Sequence, residues 1–264
     1  MIEEIKYFLL GIIQGLAEFF PISSSGHIVL FSSLLDLAED NPLLLSVTVH
    51  FATTLSTIII YRRRLKELCY GVIIHQNKND LSFVLKIIIS SFPIIIIGFL
   101  FRDNIAVMFS NYYFVTIMLL LTAIFLIVTS FIPTGKKKIT YSTALLMGLA
   151  QAFAILPGIS RSGTTISMAL FLKVKSKDAA EFSFLMALLP ILGITFIELI
   201  TLFYSNIKLS VDDIKSLIIA FLSAFLSGLF ACKYMISIVE KNNLKYFGFY
   251  CIMIGYIVLY FVFF

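Results

Sequence analysis

The chain has 264 residues, of which 60% are apolar and only 13% charged, and its mean hydropathy is +1.02. A soluble domain carries about 25% charged residues, so the composition excludes a water-soluble fold. Apolar runs of about twenty residues recur and specify an all-α polytopic membrane protein, in which the net charge of +5 reports loop topology rather than nucleic-acid binding.

The first apolar segment, residues 7–37, consists of two short stretches broken by Pro, Gly and Ser. Full spans are expected at about 43–61, 81–101 and 112–132. A second broken segment occupies 140–172, and spans at about 179–204, 213–232 and 246–264 follow. Non-helical backbone at membrane depth is tolerated only where protein or a wet cavity covers it. The two broken segments are therefore predicted to be re-entrant helix hairpins, accompanied by six transmembrane helices. Functional-looking residues begin by Gln14, so no cleavable leader is expected. Cys69, Cys232 and Cys251 lack metal or redox spacing and read as free thiols.

Charge supports this layout. One side of the membrane would carry Arg62, Arg63, Arg64, Lys66, Lys78, Lys86, Lys136, Lys137, Lys138, Lys173, Lys175, Lys177, Lys233, Lys241 and Lys245. The other would carry only Lys6, Arg102, Lys208 and Lys215. The basic side is cytoplasmic by the positive-inside rule, which places both termini outside. The first hairpin then enters from outside and the second from inside. Such antisymmetry defines an inverted-topology repeat within one membrane domain, 1–264, with halves 1–132 and 133–264.

The motifs independently suggest the same division. Residues 11–27 and 148–164 superpose without gaps, pairing Gly11 with Gly148, Gln14 with Gln151, Ser23 with Ser160, Ser25 with Ser162 and Gly26 with Gly163. Polar, broken segments at matching places in two halves point to a binding site at their interface.

Gln14 and Glu18 are four apart and share a helix face. A carboxylate in an apolar span is a functional candidate, either to hold a divalent cation or to take a proton; a structural bond to the Ser-rich break is the plainer alternative. Pro21 ends the first arm. Ser23, Ser24, Ser25, Gly26 and His27 open the second arm, where a helix start presents N–H groups to an anion. Ser24 and His27 are three apart, close enough for a hydroxyl and its base, although a capping Ser with a satisfied His would look the same. In the second hairpin Gly158, Ser160, Ser162, Gly163 and Thr164 surround Arg161, whose planar fork suits a phosphate. Arg161 could instead pair with Glu18 across the repeat. His50 and Glu198 also lie in apolar spans, without an assigned role. A transporter built on the same repeat is the rival from another class, but it would have no need of Ser24 beside His27.

These motifs resemble those of a known family. Gln-x-x-x-Glu with Phe-Phe-Pro-Ile-Ser-Ser-Ser-Gly-His, then Pro-Gly-Ile-Ser-Arg-Ser-Gly, then Glu181-Phe182-Ser183-Phe184, are similar to the undecaprenyl-diphosphate phosphatases, the bacitracin-resistance-type membrane phosphatases. The resemblance runs from end to end. It implies hydrolysis of a polyprenyl diphosphate lipid to the monophosphate and inorganic phosphate in the bacterial plasma membrane. That reaction recycles the lipid carrier of cell-wall synthesis and confers bacitracin resistance. It further implies a divalent cation, Mg2+ or Ca2+, held by Glu18 with Gln14. Glu18, Ser24, His27 and Arg161 would be catalytic; Gln14, Ser23, Ser25, Gly158, Ser160, Ser162, Gly163 and Thr164 would bind substrate. Gln14 departs from the family's frequent Glu, and its neutral amide can offer a carbonyl but cannot act as a base. Membrane lipid is the other expected partner, and a homodimer stays open.

Overall fold

The computed structural model describes residues 2–34, 42–204 and 210–263. The last residues of the first predicted hairpin (35–37), Lys208 and residue 264 lie outside them. Among the described residues the chain forms twelve α-helices and no strand; one isolated bridge pairs Lys137 with Val174. The described residues are thus all-α, as the long apolar runs predict.

The first broken segment becomes α1 (Ile2–Phe19) and α2 (Ser24–Leu34), and the second becomes α8 (Tyr141–Phe153) and α9 (Arg161–Phe171). Between them run α3 (Pro42–Ile60), α4 (Arg62–Ile73), α5 (Lys78–Leu100), α6 (Arg102–Phe109) and α7 (Tyr112–Ser130). The chain ends with α10 (Ser176–Tyr204), α11 (Val211–Glu240) and α12 (Lys245–Phe263). Four helices, α5, α7, α10 and α11, are long and apolar enough to cross a membrane alone. A fifth candidate is α3 taken with α4, which bends away by 72°, and α12 has a shorter apolar stretch, Lys245–Tyr260.

Two helices were not anticipated. The α3 helix breaks at Tyr61, and α4 follows with Arg62, Arg63, Arg64 and Lys66 in its first turns. Four basic residues cannot continue an apolar span, so the chain turns aside where its composition changes. The short α6 begins with Arg102, Asp103 and Asn104, a polar start that likewise ends the apolar run before it. Further on, α11 continues past the expected end at 232 to Glu240.

Each broken segment packs its first arm by removing side chains. A Cβ added at Gly11 would lie 2.4 Å from the Ala220 carbonyl oxygen on α11, and one added at Gly148 would lie 2.5 Å from that of Ser90 on α5. Close backbone approach through small residues is how helices associate where lipid removes the hydrophobic driving force. At its exposed end α1 is also tied to α11 by an ion pair between Glu4 and Lys215. The hydrogen bond and charge of Lys215 hold the Glu4 carboxyl below its ordinary value. The Ser210–Asp213 capping box starts α11.

A large buried cluster, including Phe19, Met147, Ile166, Phe182, Phe184 and Met235, joins α1 to α8–α11. The lipid-facing surface stays apolar: Phe99, Phe131 and Phe203 are at least four-fifths exposed.

Gly158 is the position where sequence is least negotiable. Its φ is +98°, and a Cβ there would sit 2.1 Å from the Val115 carbonyl oxygen of α7. Gly158→Ala should therefore lower stability by about 3 kcal/mol or more, strain and clash acting together. The thermal unfolding midpoint in detergent checks this; an unchanged midpoint would refute it.

Candidate active site

The two breaks meet. A Cβ built on Gly26 lies 3.5 Å from the Cα of Gly158, and one on Gly163 lies 3.1 Å from the Cβ of Pro21. This contact brings the end of α1, the start of α2 and the start of α9 to one place, with Glu18 at its centre.

Glu18 is 8% exposed, and its Oε1 pairs with Nη2 of Arg161, which is 17% exposed. Its Oε2 accepts from Ser24 Oγ at 2.9 Å and from Gln14 Nε2 at 3.1 Å. His50 of α3 adds Nε2 at 3.9 Å from the same oxygen. The Nδ1–H of His50 is committed to the Ser46 carbonyl at 2.9 Å. A carboxylate and a guanidinium this deeply withdrawn from water persist only when their remaining bonds are supplied, and Gln14 and Ser24 supply those of Glu18. A narrow cleft of about 10 Å3, room for roughly one water, opens beside the pair. Thr53, Thr54 and Thr57 of α3 line one wall, and Ala187, Leu188 and Ile191 of α10 line the apolar other.

The remaining expected residues build the breaks. Ser23 Oγ accepts the Gly26 N–H at 3.2 Å, and Ser160 Oγ accepts the Gly163 N–H at 3.1 Å. Ser25 Oγ lies 3.3 Å from Ser23 Oγ, and Ser162 Oγ lies 3.3 Å from Ser160 Oγ. Thr164 Oγ1 donates to the Ser160 carbonyl at 2.7 Å, and His27 Nδ1 is 2.9 Å from the Ser23 carbonyl. Each of these three bonds in one break thus has a counterpart 137 positions away in the other. The cause is local: a Ser two residues before another Ser, followed by Gly, makes the same side-chain capping bonds, although Ser23 has a φ of +68° and Ser160 one of −77°.

The structure brings Glu18, Arg161, Ser24 and Gln14 together, with His50 at their edge. It does not join Ser24 to His27. The second nitrogen of His27 lies 2.9 Å from the Tyr250 hydroxyl of α12. The spacing argument missed Tyr250, and it missed Thr122, whose Oγ1 accepts the Ser160 N–H at 3.0 Å and donates to the Gly158 carbonyl at 3.1 Å. Neither has a local signal, since each acts across the fold. The cleft threonines did have one, three hydroxyls at i, i+1 and i+4 in an apolar span.

Among the described residues no group of three or more His, Cys, Asp or Glu is placed to hold a metal by itself. One carboxylate and one amide are present instead, and the amide oxygen, Gln14 Oε1, is buried without a hydrogen-bond partner. That donor set fits a hard cation completed by substrate phosphates and water, the usual arrangement for Mg2+.

Comparison with known proteins agrees with this geometry. The family model described as bacitracin resistance protein BacA matches residues 7–257. A protein of Christiangramia forsetii named undecaprenyl-diphosphatase is 42% identical over 251 residues, covering 94% of each chain. Proteins with that name from Bacteroides thetaiotaomicron and Methanococcus vannielii are 40% and 34% identical, covering 94% and 96% of this chain and 94% and 98% of their own. Two broken helices meeting at an acid–arginine pair, in a chain matched almost end to end, place this protein in the bacitracin resistance protein BacA family.

Proposed function

We propose that the protein hydrolyses undecaprenyl diphosphate to undecaprenyl phosphate and inorganic phosphate in the bacterial cell membrane, recycling the lipid carrier of cell-wall synthesis. The observation that carries this reading is the single carboxylate of Glu18, bonded at once to Arg161 from one break and Ser24 from the other. The transporter alternative is not favoured, because relatives matched over the whole chain are named as diphosphatases and a carrier needs no hydroxyl on its carboxylate.

Phosphoryl transfer requires mainly positioning and charge stabilisation. The diphosphate would part Arg161 from Glu18 and take the guanidinium for its own oxygens. The first N–H groups of α2 and α9 left without a partner in the turns would add donors. Ser24 Oγ attacks the terminal phosphorus, its proton passing to Glu18 Oε2. The bridging P–O bond breaks, undecaprenyl phosphate leaves, and water then releases phosphate from the serine. Gln14 and Glu18 would hold Mg2+ or Ca2+, which when bound neutralises charge on the phosphate oxygens. The prenyl chain would leave the cleft along the apolar wall of α10.

The same reading gives the two broken segments a topology: re-entrant hairpins from opposite faces in an inverted repeat of halves 1–132 and 133–264, beside six spans, with both termini outside. Bonds that recur 137 positions apart support it, as does the fifteen-to-four charge asymmetry.

The test is phosphate release from undecaprenyl diphosphate by purified protein in detergent, with Mg2+, with Ca2+ and with chelator. Release that needs a cation is expected. No release from folded protein under any condition would sink the proposal.

A further inference from the structure

His27 presents a problem for any mechanism that makes it the base for Ser24. Its ring is 2% exposed, and both nitrogens are already engaged. Nδ1 faces the Ser23 carbonyl, which can only accept, so Nδ1 carries the proton. In the neutral ring Nε2 must then accept, and the Tyr250 hydroxyl donates to it. The two rings lie nearly parallel, 12° apart. The ring has no nitrogen left to offer Ser24.

What His27 holds is unusual. Ser23 has a φ of +68°, a left-handed backbone in a residue with a side chain. Its carbonyl receives both the backbone N–H of His27 at 3.1 Å and the ring Nδ1–H at 2.9 Å. The next residue is Ser24, whose hydroxyl rests on Glu18. Strain of this kind persists only where its surroundings over-determine it.

The second break shows what the position does. Thr164 stands 137 residues after His27, and its hydroxyl makes the same bond to the equivalent carbonyl, that of Ser160. No one would assign Thr164 as a base; it ties the helix start back to Ser160, whose own φ of −77° is unstrained, so the left-handed backbone belongs to the first break alone. There a helix from the other half, α7, completes the clamp through Thr122. At the first break the completing helix is α12, which offers the Tyr250 hydroxyl and directs the Cys251 thiol at the Pro21 carbonyl, 3.9 Å away.

We propose that Tyr250 is a positioning residue for the phosphatase reaction: its hydroxyl locks the His27 ring onto the Ser23 carbonyl, and this clasp keeps the left-handed turn that seats Ser24 Oγ on Glu18. The proposal rests on the reading of Ser24 and Glu18 given above. It makes His27 a clamp that acts through the backbone. It also makes α12, which contributes no group to the cleft, a determinant of turnover.

The experiment compares wild type, Tyr250→Phe, His27→Asn, His27→Gln and His27→Ala as full-length protein in detergent, measuring kcat and KM for phosphate release from undecaprenyl diphosphate with Mg2+. The Asn amide places a donor where Nδ1–H was; the Gln amide reaches the position of Nε2 and leaves the carbonyl unclamped. Tyr250→Phe should lower kcat about 10-fold with KM nearly unchanged, the effect of one hydrogen bond in a positioning chain. His27→Asn should stay within about 10-fold of wild type, whereas His27→Gln and His27→Ala should fall about 100-fold, the scale of a misplaced reacting group. If His27→Ala fails to fold, the near-isosteric Tyr250→Phe and His27→Asn still decide. Tyr250→Phe at the wild-type rate, or His27→Asn as inactive as His27→Gln, overturns the proposal while leaving the phosphatase reading intact. Wild type without activity overturns both.

Discussion

Ser24→Ala should abolish turnover, lowering kcat by about 10^4-fold or more, the scale seen when a nucleophile is removed from a unit that acts together. The expectation follows from where the hydroxyl is held. Ser24 opens α2, where unpaired N–H groups attract the phosphate, and its Oγ already donates to Glu18 Oε2 at 2.9 Å. The same carboxylate is the partner of Arg161. Substrate bound by Arg161 is therefore bound next to a hydroxyl whose proton has an acceptor. A donor-only serine, with water as the attacking group, would cost about 10^2-fold when removed. Acid-quenched wild type incubated with terminally labelled substrate should retain label on the protein, and Ser24→Ala should not. Residual activity within about 100-fold of wild type would assign the attack to water.

Arg161→Lys should lose about 10^3-fold in kcat/KM, because an ammonium cannot reproduce the two-pronged contact a guanidinium makes with phosphate oxygens. The larger lesson lies in stability. Arg161 and Glu18 are each mostly buried, so removing one leaves the other charge uncompensated, at about 3–5 kcal/mol. Arg161→Ala and Glu18→Ala should each lower the unfolding midpoint, and the double variant should recover much of that loss. Activity should stay absent in all three. Equal and additive losses of stability would mean that the two charges find other partners, contrary to the geometry. A recovered midpoint without recovered activity would separate what the pair does for the fold from what it does for phosphate.

Much of the site was legible because it sits in short local motifs. Glu18 four residues after Gln14 had to share its face, and an Arg in an apolar stretch had to find a counter-charge. Ser-x-Ser-Gly recurring 137 residues on announced two breaks with the same capping bonds, though not that only Ser23 would be left-handed. The fold class was equally plain, since a chain with so few charges has no soluble solution. Less legible were α4 and α6, short helices where basic or mixed residues end an apolar run. Periodicity says little about such segments: the basic run at 62–66 marks where the chain turns after Ile60 but not the 72° of the bend.

Ser24 and His27 mark the boundary of what spacing can tell. Three residues apart on a helix, they looked like hydroxyl and base, yet the hydroxyl turned to Glu18 across the break and the imidazole turned back to its own turn and outward to Tyr250. Spacing sets which side chains share a face, but each polar group in a dry interior is directed by the nearest partner able to satisfy it. The sequence by itself determined a helical membrane protein with two polar breaks and the polar residue types that gather there. The tertiary structure alone decided which groups touch, because a Glu on α1 meets an Arg on α9, and a His on α2 meets a Tyr on α12, only once the helices have packed.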